Sequence, residues 1–395
     1  MDNRTDPSTS HAPRAMSFNQ APFLVIWETT QACDLACVHC RANAQPLPLP
    51  GELSHEEGLA LMDDVAAMGT PVLVLSGGDP LKRPDLLGLI RHGKSKSLRM
   101  ATIPAATPRL TREVVVALHE AGLDQMALSL DASSAQAHDA FRGVAGAFQK
   151  TLDAIAWAHE AGLRVQLNTV MSQQNFEDVD ALIDLVSRLG IVFWEVFFLV
   201  PTGRGSRVAG LFAWQYERVF TKLYALMQRA SFVIKVTEAP QFRRFVIEQR
   251  MRASAIDPDE FQWDGRHLAQ ALGSIAGPQG TIGLAPQAVN AAKGFAFVSS
   301  QGEVFPSGFL PVSAGNIRQQ SFAEVYREAP LFRLLRNPNK LAGRCGICEY
   351  RFLCGGSRSR AFAVTGDYLA EEPYCAYLPR AVRSRAGCRL DALSV

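Results

Sequence analysis

From Phe23 to Val200 the chain repeats one pattern: a short apolar run, a loop, a stretch with helical periodicity, and a glycine leading into the next run. The runs are FLVIWET (23–29), VLVLSGG (72–78), RMATIPA (99–105), QMALSLD (125–131), RVQLNTV (164–170) and FWEVFFLV (193–200). They are rich in β-branched and aromatic residues, and several are almost continuously hydrophobic. Strands covered on both faces read this way, so the pattern predicts a parallel sheet.

The segments between the runs carry helix signals. Ser54 with Glu57 forms a capping box, Thr111 and Asn175 stand as N-caps, and Leu61, Met62, Val65 and Met68 recur at helical spacing. Gly69, Gly122, Gly162 and Gly190 each fall where a helix would end, at the left-handed position glycine adopts with least strain. Repeated βα units with right-handed crossovers give an open doubly wound sheet or a barrel, and both gather their chemistry at the C-terminal ends of the strands.

Beyond Pro201 the pattern changes. Residues 206–272 read as mostly helical, 273–294 as a long glycine- and alanine-rich loop, and FAFVSSQGEVF (295–305) as a hairpin turning near Gln301 and Gly302. A chain of 395 residues can bury one large core with a smaller appendage. The expected division is a flexible tail at 1–18, a barrel at 19–235, a helical linker and loop at 236–294, and a cysteine-rich domain at 295–395. A net charge of +2, with 20% charged residues, gives no sign of nucleic acid as a partner. Apolar runs such as 193–200 fall far short of the roughly 20 residues a membrane span needs. The polar opening MDNRTDPSTSHAPRAMS has no apolar stretch behind its arginines and reads as a loose tail rather than a secretory signal, so a cytoplasmic protein is expected.

The eight cysteines fall into two groups, Cys33, Cys37 and Cys40 near one end and Cys345, Cys348, Cys354, Cys375 and Cys388 near the other. Clustered thiols in a large chain of cytoplasmic character favour metal binding over disulfides. CDLACVHC (33–40) spaces its three cysteines as CxxxCxxC, which suits zinc poorly, because a structural zinc site closes with four ligands. A [4Fe–4S] cube held by three thiolates would leave one iron open to a ligand from outside the protein. The second group runs Cys345-x2-Cys348-x5-Cys354-x20-Cys375, and its spacing alone suits either zinc or a fully ligated cluster.

The CxxxCxxC motif just after a first strand, followed by LSGGDP, resembles the radical S-adenosylmethionine (radical SAM) superfamily. The resemblance implies a partial (β/α)6 barrel, an α/β fold, whose [4Fe–4S] cluster on Cys33, Cys37 and Cys40 binds S-adenosylmethionine at its open iron. It also implies reductive cleavage of that cofactor to a 5′-deoxyadenosyl radical, which abstracts hydrogen from substrate. Residue by residue, His39 takes the place of an aromatic packed near cluster and adenine. Gly77, Gly78 and Asp79 resemble the GGEP motif that binds the cofactor's amino group, with Asp for the usual Glu. Ser129 and Arg142 are implied contacts to its methionyl part, Asn168 is the fifth-strand polar contact, and Val200 lies near adenine. ATIPAAT (101–107) departs from the Ser/Thr-Asn-Gly that many relatives carry after strand three.

The later cysteines are similar to the auxiliary-cluster extension called SPASM, which implies a second [4Fe–4S] cluster on Cys345, Cys348, Cys354 and Cys375. Ser307 stands where many relatives have cysteine, so one auxiliary cluster is expected, with Cys388 left as a spare thiol. Residues 345–375, 50–81 and 308–318 resemble most closely the tetrapyrrole branch, whose members modify propionate side chains in heme and heme d1 assembly. That implies a tetrapyrrole substrate and a reductant such as flavodoxin or ferredoxin. Arg344, Arg351, Arg358, Arg360, Arg380, Arg383, Arg385 and Arg389 crowd the last 52 residues, and guanidinium forks suit carboxylates, so they are candidate propionate contacts. Two other readings stand beside this one: a SPASM-type enzyme that modifies a ribosomally made peptide, and a non-enzymatic iron–sulfur or heme-binding chaperone or regulator.

Overall fold

The computed structural model describes residues 16–258 and 288–386. Its elements run β1 (Leu24–Glu28), α1 (His55–Ala67), β2 (Val72–Ser76), α2 (Leu86–Ser95), β3 (Arg99–Thr102), α3 (Arg112–Glu120), β4 (Gln125–Ser129), α4 (Ala135–Arg142), α5 (Ala147–Glu160), β5 (Arg164–Met171), α6 (Val179–Val186), β6 (Phe193–Phe198), α7 (Ala213–Met227), β7 (Val233–Thr237) and α8 (Gln241–Ala253). A hairpin of β8 (Phe295–Val298) and β9 (Glu303–Phe305) follows, then the short strand β10 (Gly315–Asn316). All ten strands share one sheet in the order β10-β9-β8-β1-β2-β3-β4-β5-β6-β7.

The six strands expected from the apolar runs are present and parallel. The sheet continues past them on both sides. β7 pairs parallel with β6, and β8 pairs parallel with β1, so eight parallel strands form the wall where six were expected. β7 lies inside the stretch that reads as helical. VIKVT is only five residues long, and its central lysine breaks the apolar run that marks the other strands.

Alternation along each strand explains why the runs are hydrophobic throughout. Val25 and Trp27 of β1 face the helical layer and are fully buried there, while Leu24 and Ile26 face the lumen that the curved sheet encloses. α1 lies flat on Trp27: a Cβ at Gly58 would stand 2.4 Å from the indole edge, so only glycine permits that approach. Ser54 and Glu57 form the expected capping box and Thr111 caps α3. Gly69, Gly122, Gly162 and Gly190 all take positive φ, between 61° and 94°. Asn175 is not an N-cap. α6 begins after Asp178, and the buried Asn175 amide instead donates to the carbonyls of Asp131 and Val170, both at 2.8 Å, tying the ends of β4 and β5 together.

The chain after β10 is helical, with helices at Phe322–Glu328, Pro330–Leu335, Gly343–Ile347, Arg358–Thr365 and Arg380–Ala386. It is fastened to the barrel rim by Arg360, whose side chain is fully buried. Its guanidinium donates to Leu199 O at 3.2 Å, Phe198 O at 3.0 Å, Glu238 O and both carboxylate oxygens of Glu372 at 3.1 Å. Residues 273–287 of the expected loop, residues 259–272 of the helical stretch, Cys388 and Arg389 lie outside the described residues, as does the side chain of Arg385.

Removing one partner of a buried ion pair strands the other. Arg360→Met should therefore lower the urea unfolding midpoint by an amount equivalent to about 3–5 kcal/mol, and Arg360→Met with Glu372→Leu should recover much of that loss.

Candidate active site and cysteine centres

The loop after β1 carries the first three cysteines over the C-terminal rim of the barrel, and its course is held by peptide groups. Cys33 N–H donates to Gln45 O at 2.8 Å, and Val38 N–H to Phe141 O at 3.1 Å. Arg204 donates from its own N–H to Cys40 O at 2.9 Å, from Nε to Cys37 O at 2.9 Å and from Nη1 to Ala44 O at 3.3 Å. Gly203 makes this close approach possible, since a Cβ there would lie 2.3 Å from Arg41 O. Neither residue stood out in sequence, although TGRGSR directly after the sixth strand marks a tight turn with a cation in it.

Cys33 and Cys37 are buried and pack with Leu35 and Cys40. Burial pushes the Cys33 thiol up to about 11, with Asp79 and the two neighbouring cysteines adding to the shift. Arg142 reaches Cys37 Sγ at 3.8 Å and forms an ion pair with the fully buried Asp131, a second residue the motifs did not single out. His39 stacks on Phe141 with centroids 4.3 Å apart, and its Nδ1 is buried with no hydrogen-bond partner among the described residues. That orphaned polar atom beside three thiols, with a cation facing one sulfur, fits an anionic, polar group seated in the loop.

Gly77 and Gly78 lie against the same loop. A Cβ at either would sit 2.4 or 2.5 Å from the carbonyl oxygen of Thr30 or Ala32, so the close approach that selects glycine here is to the backbone leading into Cys33. Gly78 and Asp79 donate their N–H groups to those two carbonyls at 2.8 and 2.7 Å. The Asp79 carboxylate is fully buried and spent inside the protein: it accepts from Leu81 N–H (3.1 Å), Ala105 N–H (3.3 Å) and Thr107 Oγ1 (3.1 Å), while burial raises its pKa. The segment that departs from the family pattern after strand three thus supplies Asp79 with two of its donors. Ser129 stands opposite Asn168 at the ends of β4 and β5. Asn168 lines the lumen and accepts from Gln166 at 2.7 Å, and Val200 is buried just past β6.

The second centre is separate. Cys345, Cys348, Cys354 and Cys375 all line one small cavity of about 30 Å³. Glu372 N–H donates to Cys345 Sγ at 3.3 Å, Gly356 N–H to Cys354 Sγ at 3.4 Å, and Arg358 reaches Cys345 Sγ at 3.8 Å. A Cβ at Gly356, where φ is +64°, would crowd that sulfur at 3.2 Å. Burial raises the thiols of Cys348 and Cys375 to about 12 and about 11 and that of Cys354 higher still, and metal binding to such thiols releases their protons. Among the described residues no three His, Cys, Asp or Glu side chains converge tightly enough for a single metal ion. The donor set and its spread fit a larger thiolate-ligated body.

The lumen is a cavity of about 230 Å³ whose wall includes Phe193, Phe197, Phe295, Phe297 and Phe309. A chain of polar side chains runs along one side, Gln125 donating to Gln166 (2.6 Å) and Gln166 to the Glu195 carboxylate (3.0 Å). Of the C-terminal arginines expected to meet a substrate, the six whose side chains are described lie elsewhere. Arg358 and Arg360 are buried in structural bonds, and Arg344 is paired with Glu371 at 3.0 Å. Arg351 donates to Cys348 O at 3.2 Å, Arg380 faces Glu349 at 3.6 Å, and Arg383 donates to Tyr377 Oη at 3.3 Å. None of the six lines the lumen, where the cations are Arg41, Lys235 and Arg243. Arginine density in the sequence reflected the needs of the thiol site and of its attachment to the barrel.

The sequence matches the radical SAM superfamily over residues 27–186. It is 41% identical to the AdoMet-dependent heme synthase of Methanosarcina barkeri over 92% of this chain and 99% of that protein. It is 29% identical to the pre-heme d1 synthase of Dinoroseobacter shibae over 94% and 90% of the two chains. Streptococcus suis SuiB, solved bound to S-adenosylmethionine and also with precursor peptide SuiA, shares the fold: the first of these structures gives a TM-score of 0.68 at 14% identity, covering 91% of this chain and 78% of its own.

Burial holds His39 down to about 3 and His138 to about 4, and Arg142 disfavours the charged form of both. Folding therefore favours the neutral rings, and their contribution is complete above the unfolded value near 6.5 and is lost as pH falls through about 4 and then about 3. The metal-free protein should show a urea midpoint that declines with pH below about 6.5, and His39→Phe should make that decline shallower.

Proposed function

The chain belongs to the radical SAM superfamily and is an enzyme of it, and from that premise we propose that its substrate is a tetrapyrrole carrying propionate side chains. The observation that carries the reading is the lumen, a cavity walled by five phenylalanines with cations set into it and amides along one side. A flat apolar ring with anionic edges matches that lining. The heme synthase and pre-heme d1 synthase likenesses run along nearly the whole chain.

Cys33, Cys37 and Cys40 would hold the [4Fe–4S] cluster whose open iron takes S-adenosylmethionine, and Cys345, Cys348, Cys354 and Cys375 a second cluster closed to outside ligands. Bound there, the first cluster and its cofactor would supply one-electron chemistry: reductive cleavage of S-adenosylmethionine and hydrogen abstraction from substrate. The protein's part is positional. Arg142 sets a positive charge beside Cys37, and His39 presents its stacked ring at the same loop. Gly77 and Gly78, held against the backbone that leads into Cys33, would bring their peptide groups near the ammonium of the cofactor. Ser129, Asn168 and Val200 mark the strand ends over which the rest of the cofactor would lie. Asp79 acts by bracing that backbone, since its carboxylate is spent.

Ser307, where many relatives have cysteine, donates to Glu238 at 3.1 Å, in keeping with a single auxiliary cluster. The division into a barrel (19–235), a linker (236–294) and an auxiliary-cluster domain (295–395) marks where the thiol centres belong, although β8 and β9 extend the barrel sheet itself. A flavodoxin or ferredoxin is the proposed reductant. Among the described residues no helix is long and apolar enough to cross a membrane, and seven free thiols suit a reducing cytoplasm.

Anaerobically reconstituted protein should contain about eight irons, and a Cys33→Ala, Cys37→Ala, Cys40→Ala variant about four, from two cubane clusters. Zinc retained at the second centre would overturn the auxiliary assignment. With dithionite and S-adenosylmethionine the wild type should release 5′-deoxyadenosine and convert iron-coproporphyrin or a siroheme-derived ring, followed by mass spectrometry. Turnover of a small peptide in their place would replace the tetrapyrrole reading.

A further inference from the structure

The three lumen cations are not equivalent. Arg41 is committed to Glu28 at 2.9 Å and Gly308 O at 3.2 Å, and Lys235 to Glu195 at 2.8 Å. Arg243, in the first turn of α8, has no carboxylate partner among the described residues. Its Nη1 donates to Leu353 O at 3.1 Å and its Nη2 to Val289 O. A guanidinium has five N–H donors, so those two bonds leave three unspent. Burial pulls its pKa below the usual value, and the Cys354 thiol is the group that opposes this. Glu238 also borders the lumen, but its carboxylate is occupied by the hydroxyls of Ser307, Ser357 and Ser359.

We propose that Arg243 binds a carboxylate of the substrate inside the lumen. The inference rests on the tetrapyrrole reading and adds to it a residue and an orientation. A planar carboxylate can accept two parallel N–H bonds from the fork, which gives direction as well as attraction. Leu353, whose carbonyl holds the guanidinium, immediately precedes Cys354. An acid group bound at Arg243 therefore lies on the side of the lumen next to the four-thiol centre, and the ring's apolar faces remain for the phenylalanines.

The test is an optical titration of anaerobically reconstituted full-length protein with iron-coproporphyrin and with its tetramethyl ester, which has the same ring and no carboxylates. Wild type should bind the acid about tenfold or more tightly than the ester. Arg243→Gln should lose most of that preference while binding the ester as before, and Arg243→Lys should retain part of it. Unchanged preference in Arg243→Gln would overturn the assignment, and so would equal weakening for acid and ester, the signature of a clamp between α8 and its neighbouring loops. Failure of wild type to bind either ring would instead remove the tetrapyrrole reading on which the proposal stands.

Discussion

The most deeply buried tie between the barrel and the C-terminal segment is one guanidinium. Arg360 lies where no water reaches it, and its donors end on the carbonyls closing β6, on Glu238 just past β7, and on Glu372. Glu372 in turn accepts from Ser357 N–H at 2.8 Å, and its own N–H points at Cys345 Sγ. The thiol centre is thus referenced to the strand ends through Arg360, with Glu238 and Arg243 adding further ties, and a buried ion in that position is sustained only by complete hydrogen bonding. Glu238 shows what the arrangement costs locally: a non-glycine residue with φ of +57°, held there by Arg360 and three serines.

The two cysteine sets meet similar electrostatic demands by different means. At the barrel mouth the sulfurs share a loop, Leu35 N–H points at Cys33 Sγ, and the nearby charge is Arg142, balanced by Asp131. At the second centre they come from a short helix, its cap and two turns, with backbone N–H groups aimed at Cys345 and Cys354 and with Arg358 beside Cys345. Hydrogen bonds to sulfur and the local charge are recognised controls on the potential of a thiolate-ligated cluster, so the two sites have grounds to differ.

Much of this was legible in the sequence. Strands β1 to β6 were marked by runs apolar on both faces, and the glycines at helix exits adopt the left-handed backbone expected of them. The cysteine groups were separable by spacing alone. What escaped was whatever depends on contacts distant along the chain. β7 is too short and too polar at Lys235 to register, and the parallel pairing of β8 with β1 joins residues more than 250 positions apart. Arg204, Asp131 and Asn175 act on backbone groups of other segments, which leaves no local pattern. The C-terminal arginines misled for the same reason, since density along the chain does not say which cavity a side chain faces.

Most of the bonds that set the course of the Cys33–Cys40 loop fall on peptide groups, from Arg204, Phe141 and Gln45, while Cys33 Sγ accepts from Leu35 N–H at 3.4 Å and Cys37 Sγ faces Arg142. In a zinc finger the metal does the folding, and the chain must meet its ion to acquire a shape. Here shape is inherited from the barrel. The consequence is a division of labour: residues outside the cysteine loop fix the backbone around the thiols, so substitutions at Gln45, Phe141 or Arg204 can disturb that loop without touching a sulfur.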